Sequence, residues 1–353
     1  MLENLMDQFG EGAVLMMAGA LVGLVFGIAA QHARFCLRAA TVEVSEGHFG
    51  PRLSIWLIAF CAAVFCVQAA IAAGFLDVSE ARQLAATGSM SGAVIGGLMF
   101  GAGMILARGC ASRLLVLSAT GNLRAIVTGL VLTLVAQASL RGVLAPIRED
   151  LAQLWLIEGG AARSLLAHLG LTSRAASGIA AFGLLGALAF SAGCRTGLSR
   201  MVAAICVGGA VALGWLLTFA IAQTSFEVVA ISSITFTGPS TDTLMGLVNS
   251  TQMPLGFGVG LVPGVFAGAG LMALAAGEAK VERFGPETPM ERYLIGACLM
   301  GFGSMLAGGC AVGAGMSGGA IFAVTAWVAV FCMWVGAVIT HRLTQNLRVP
   351  TPA

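Results

Sequence analysis

The chain of 353 residues is 58% hydrophobic and only 10% charged, with a mean hydropathy of +0.95. Soluble domains carry about 25% charged residues, so a water-soluble fold is excluded and the bilayer is the solvent for most of this sequence. The net charge is only +2, and of the 18 basic residues 17 are arginine, Lys280 being the other.

The leader MLENLMDQFGE is acidic where a secretory signal is basic, so the apolar run after it, 13–30, reads as a retained first helix. Apolar stretches recur at 12–31, 53–76, 91–107, 125–140, 177–193, 201–223, 255–276, 293–307 and 320–340. They predict an all-α, polytopic membrane protein with about nine transmembrane helices. A full span takes about 20 residues. The runs at 91–107, 125–140, 177–193 and 293–307 are short by that measure, and three of those four lead straight into a glycine-flanked cysteine. Short, glycine-interrupted segments at matching places in two halves point to a transport site. Segments 41–52, 77–90, 238–254 and 277–292 read as loops, with TGPS and FGPETP as turn signals. The charged, amphipathic stretch 141–176 predicts one or two helices lying on the membrane surface, with Leu151, Leu154, Trp155, Leu165, Leu166 and Leu169 at helical spacing. The chain then divides into a first membrane half, 1–140, an interfacial linker, 141–176, and a second membrane half, 177–353.

The halves share a string. GGLMFGAGMILARGCA (96–111) and GACLMGFGSMLAGGCA (296–311) agree at eight of sixteen positions, among them Gly101/Gly301, Gly103/Gly303 and Cys110/Cys310. A weaker pair, GLVFGIAAQHARFC (23–36) and FGLLGALAFSAGC (182–194), also ends in cysteine. Repeats predict two pseudo-symmetric halves with short broken helices carrying cysteines near the midplane and a site at the junction; whether the repeats are inverted or parallel is open at this point. Gly101, Gly103, Gly109, Gly301, Gly303 and Gly309 are the expected helix-break glycines, although G23xxxG27 and G97xxxG101 equally suit helix packing. The acidic leader and the basic C-terminus, Arg342 and Arg348, favour an N-terminus outside and a cytoplasmic C-terminus.

Four cysteines share one setting: RFCLR (34–38), RGCASR (108–113), AGCRTG (192–197) and GGCAVG (308–313). The other five, Cys61, Cys66, Cys206, Cys298 and Cys332, read as small buried hydrophobes, and no CxxC pair or histidine cluster suggests a metal or a disulfide framework. After Cys110 the residues ASRLL restart a helix, which places the thiol and free amides at a helix N-terminus, a place that attracts anions. Arg108, Arg113, Arg34 and Arg195 add charge-assisted donors. Arg38, Arg124 and Arg200 read instead as interfacial side chains that snorkel. Phosphate or sulfate needs no thiols, but a thiol is a soft, weak donor suited to a polarisable sulfur or selenium atom. Thiosulfate offers oxyanion oxygens at one end and a terminal sulfur at the other, and several weak sites in series suit conduction. Cys36, Cys110, Cys310 and Cys194 are therefore the expected substrate pathway, with no cofactor and no catalytic residue.

Together FG…RFC (26–36), GLMFGAGMILARGCASR (97–113), SATGNLR (118–124), AGCRTG (192–197) and the GxGSMLAGGCAVGxGxSG pattern at 301–318 resemble the YeeE/YedE family of sulfur-transport membrane proteins. The resemblance implies inverted halves, thiosulfate uptake across a bacterial inner membrane, and a cytosolic TusA-like sulfur-carrier protein as partner, with the bilayer but no nucleic acid. It ties Cys36, Cys110 and Cys310 to uptake, and leaves sulfur and selenium compounds unseparated. An alternative reading is a membrane-bound cysteine persulfide relay, which needs a reactive thiolate. A soft-metal transporter fits poorly, because arginines surround the cysteines.

Overall fold

The computed structural model describes residues 2–249, 253, 255–283 and 289–346. The FGPETP turn and Arg348 fall in or reach into the segments outside the described residues. Among the described residues sixteen α-helices form, because long runs of Ala, Leu, Gly and Val in hydrocarbon can satisfy their backbone only within a helix. They are α1 (Leu2–Phe9), α2 (Glu11–Ala33), α3 (Leu37–Ser45), α4 (Pro51–Ala72), α5 (Arg82–Ala85), α6 (Met90–Leu106), α7 (Ala111–Ala119), α8 (Leu123–Arg141) and α9 (Ala145–Gln153). The chain continues with α10 (Leu165–Leu169), α11 (Ser173–Gly193), α12 (Leu198–Thr224), α13 (Thr237–Asn249), α14 (Phe257–Ala275), α15 (Met290–Leu306) and α16 (Val324–Asn346), with a π-helix at Ala311–Gly318 before the last. Among the described residues nine segments are long and apolar enough to cross a membrane. Three of them, 11–45, 90–119 and 290–318, are pairs of helices joined by a break.

Two of the runs that looked short are complete helices. Asn122 caps α8 through its side chain and Thr172 caps α11, so polar residues beyond the apolar runs extend them to 19 and 21 residues. The TGPS segment, expected as a loop, opens α13. The linker holds two short helices, α9 and α10, and its Leu156–Ile157 pairs antiparallel with Gly88–Ser89 in a two-residue ribbon.

Glycine rows set the helix packing. Gly19, Gly23 and Gly27 of α2 lie against the backbone of Phe257, Leu261 and Val265, while Gly260, Gly264 and Gly268 of α14 lie against Met16, Ala20 and Leu24. Both sequences advance together, so α2 and α14 run parallel, backbone on backbone. By the same test α6 runs antiparallel to α15, with Gly96 on Gly303 and Gly103 on Gly296, and parallel to α16, with Gly97 on Ala329 and Gly101 on Met333. Gly301 rests on the Leu132 carbonyl of α8. Gly101, Gly103, Gly301 and Gly303 therefore sit inside continuous helices as packing glycines; only Gly109 and Gly309 of the six lie in breaks. Close approach, not chain breaking, is what the missing Cβ serves here. We predict that Gly260→Ala, whose new methyl would overlap the Met16 carbonyl, costs about 1–3 kcal/mol by overpacking. Gly178→Ala, with open space around it, should be neutral or slightly stabilising. Thermal unfolding of the purified pair in detergent checks the contrast.

One buried segment was invisible in the hydropathy pattern. After α12 the chain turns back extended along the same helix, and hydroxyls satisfy its carbonyls and its neighbours. Thr218 Oγ1 donates to Ser232 O at 2.6 Å, Ser233 Oγ to Val211 O at 2.6 Å, and Ser317 Oγ of the π-helix to Ile234 O at 2.6 Å. Non-helical backbone at this depth is tolerated because protein, not lipid, surrounds it.

Candidate functional site: thiols at three helix breaks

The four helix ends at the cysteine motifs close in the same way. At Arg34, Arg108, Arg195 and Gly308 the backbone turns left-handed, with φ of 54°, 55°, 56° and 79°. The amide one residue later bonds back five positions: Phe35 to Ala30 O, Gly109 to Met104 O, Thr196 to Ser191 O and Gly309 to Ser304 O. This is the Schellman closure, which glycine usually occupies because a Cβ is strained there. Three of the four positions carry arginine instead.

Two residues past each left-handed position the next helix begins. Cys36 caps α3, Cys110 caps α7 and Cys310 caps the π-helix, while at the fourth break the capping residue is Gly197. Cys194 lies one residue before Arg195 rather than two after it. The register of the fourth cysteine thus differs from the other three, and the structure does not bring it to them. Its thiol, half-buried, points at Phe49 O at 3.7 Å.

Cysteine caps a helix poorly compared with serine or aspartate, so amides at these N-termini stay available. Neither Cys36 nor Cys110 accepts a capping bond, while Cys310 Sγ receives one from the Gly313 amide at 3.5 Å. All three thiols are buried. Those of Cys36 and Cys110 are close neighbours, and Ser112 Oγ lies 3.3 Å from Cys110 Sγ. Cys310 stands apart, at the head of the π-helix, which packs against α7. A π-helix is rare and concentrates at functional positions. Here Gly313 makes room for Thr235 of the re-entrant segment.

Arginines ring the thiol pair. Arg113 and Arg38 lie near Cys36, and Arg108, Arg52 and Arg292 lie on the side of Arg38. Arg38, read from sequence as a snorkelling side chain, is mostly covered, and its Nε is buried without a partner. Arg124 is also engaged, lying 4.9 Å over the Tyr293 ring and donating to its hydroxyl at 3.1 Å. Arg108, Arg195 and Arg200 are exposed. Arg113 Nη1 donates to Gln31 Oε1 at 3.2 Å; Gln31 Nε2 donates to Glu278 Oε2 at 2.8 Å; Arg34 Nη2 donates to Glu278 Oε1 at 2.8 Å. The Arg34 guanidinium beside Glu278 holds its carboxyl below the usual carboxylate range. Of the cysteines set aside as core, Cys332 is buried, Cys61 and Cys66 are half-buried, and Cys206 and Cys298 face outward. Among the described residues no group of three His, Cys, Asp or Glu side chains could hold a metal.

The family model for sulphur transport matches residues 32–339, which spans all four breaks. The chain belongs to the sulphur-transport family. Two curated relatives carry the name thiosulfate transporter TsuA. The protein from Spirochaeta thermophila is 28% identical over 331 residues, covering 89% of this chain and 94% of the relative. That from Escherichia coli K12 is 26% identical over 358 aligned positions, covering 91% and 92%. This family member is thus a multi-pass membrane protein whose named relatives are transporters, and the features that single it out are the breaks rather than the spans.

Proposed function

We propose that the chain imports thiosulfate across a bacterial inner membrane. The observation that carries this reading is the close approach of two buried thiols, Cys36 and Cys110, each capping a helix N-terminus with arginines nearby. Free amides and guanidinium groups suit the oxygens of the ion. The thiols suit its terminal sulfur, and Cys310 supplies a further weak site on the way. The names of the two relatives support the same substrate. In this reading the halves are inverted, as the antiparallel packing of α6 on α15 supports, with the Cys36 and Cys110 breaks towards one end of the bundle and the Cys310 break towards the other.

The charges favour one orientation. The end of the bundle where α2 stops carries Arg34, Arg38, Arg52, Arg108, Arg113, Arg124 and Lys280, against Arg82, Arg141, Arg148 and Arg163 at the end where it starts. By the positive-inside rule the arginine-rich end is cytoplasmic. A TusA-like sulfur carrier would meet the product there; co-purification of such a carrier with the membrane protein tests that step. Uptake is tested in proteoliposomes with thiosulfate labelled separately on its two sulfurs. Equal entry of both labels is the expected result. Entry or trapping of the terminal sulfur alone would replace transport of the intact ion by the persulfide relay.

A further inference from the structure

The arginine ring is not empty of anions, because the chain supplies one. Glu278 follows the end of α14, where Gly277 turns left-handed and the Glu278 amide bonds back to Ala273 O at 2.8 Å. From there its carboxylate crosses to the break after α2. One oxygen takes the Arg34 guanidinium and the other the Gln31 amide, which in turn accepts from Arg113. Gln31 is itself buried, and its donor and acceptor are both used, so its orientation is fixed by the two charges it joins. Two oxygens on guanidinium and amide donors are what an oxyanion would present to the same groups.

The segment that follows is a strap. Lys280 N donates to Thr120 O at 3.1 Å, Glu282 N to Gly121 O at 3.0 Å, and Leu123 N to Glu282 O at 3.1 Å, with the Asn122 side chain bonded to the Glu282 carboxylate. The strap therefore ties the end of α14 to the turn after α7, the helix that Cys110 begins. Arg113, on the first turns of that helix, is joined to the same strap through Gln31 and Glu278. The two α7 attachments lie at opposite ends of a nine-residue helix.

We propose that Glu278 is a built-in counter-anion, which the transported oxyanion must displace from Arg34 and Gln31 as it leaves the thiol pair. This rests on the thiosulfate reading above and adds a residue to it. An internal carboxylate lowers the net affinity of the arginines for the passing dianion and speeds its release, because it re-forms their pairs once the ion has gone. A pathway of fixed positive charge needs such relief, since a site that binds too tightly does not conduct.

The test uses the full-length protein and Glu278→Gln, with Glu278→Asp as the variant that keeps the charge. Equilibrium binding of labelled thiosulfate in detergent is compared with uptake in proteoliposomes. In Glu278→Gln we expect the Kd to fall about fivefold, the worth of one partly exposed ion pair. Maximal uptake should fall by a similar factor, with Glu278→Asp closer to the parent in both. An unchanged or weakened Kd in Glu278→Gln overturns the proposal, and a weakened Kd with a lowered thermal midpoint assigns Glu278 to strap stability alone. Failure of the parent protein to bind or carry thiosulfate overturns the transport reading instead.

Discussion

Cys110→Ala is expected to reduce thiosulfate uptake to background while the protein still reaches the membrane in normal amount. The side chain is 1% exposed, meets the Cys36 thiol and Ser112, and makes no capping bond that helix α7 would lose. Its removal therefore leaves the fold nearly intact, at a cost of about 1 kcal/mol for one buried sulfur. Function has no such reserve, because a site shaped around one donor loses orders of magnitude without it. Cys110→Ser keeps a hydrogen-bond donor of similar size but replaces a soft atom by a hard one, and uptake should still fall at least about tenfold. Cys206→Ala and Cys298→Ala, on outward faces, should transport normally. Labelled uptake in a transport-deficient bacterium, normalised to membrane protein, measures all four. Near-normal uptake by Cys110→Ala would remove the thiol pair from the pathway.

The spans and the breaks were legible in the sequence because both are local. Hydropathy marks a helix within about 20 residues, and a glycine-rich run ending in cysteine marks where it stops. Long-range pairing was not legible. Gln31 and Glu278 are 247 residues apart, and neither stands out in its own neighbourhood, so the network that holds Arg113 could not be foreseen. Arg38 looked like an interfacial side chain because its immediate neighbours are apolar, while its real company comes from other helices. The glycines were misread for a related reason. A missing Cβ serves a turn or a close contact equally well, and for Gly101 and Gly301 the contacting backbone, that of Met333 and Leu132, is distant in sequence. The offset of Cys194 was a register question. Sequence alignment placed it with the other cysteines, but the left-handed residue is what sets the frame, and it puts Gly197 in the capping position.

The left-handed arginines carry the second large effect. A non-glycine residue in this region costs about 1 kcal/mol that glycine would not, and Gly308 shows that the same closure works without it. Arg108 pays that strain at an exposed position with no ion-pair partner among the described residues. Stability and function should therefore move in opposite directions in Arg108→Gly. The thermal midpoint should hold or rise by about 2 °C, as about 1 kcal/mol implies for a chain of this size. Uptake should fall about tenfold with the loss of one charge-assisted donor. Arg108→Gln, which keeps the strain and loses the charge, should match the transport loss without the gain in stability. Arg200→Gln, exposed on the first turn of α12 past the one break that lacks a capping cysteine, should change uptake far less. If Arg200→Gln proves the more damaging of the two, the left-handed arginine is a feature of the turn and not of the anion path.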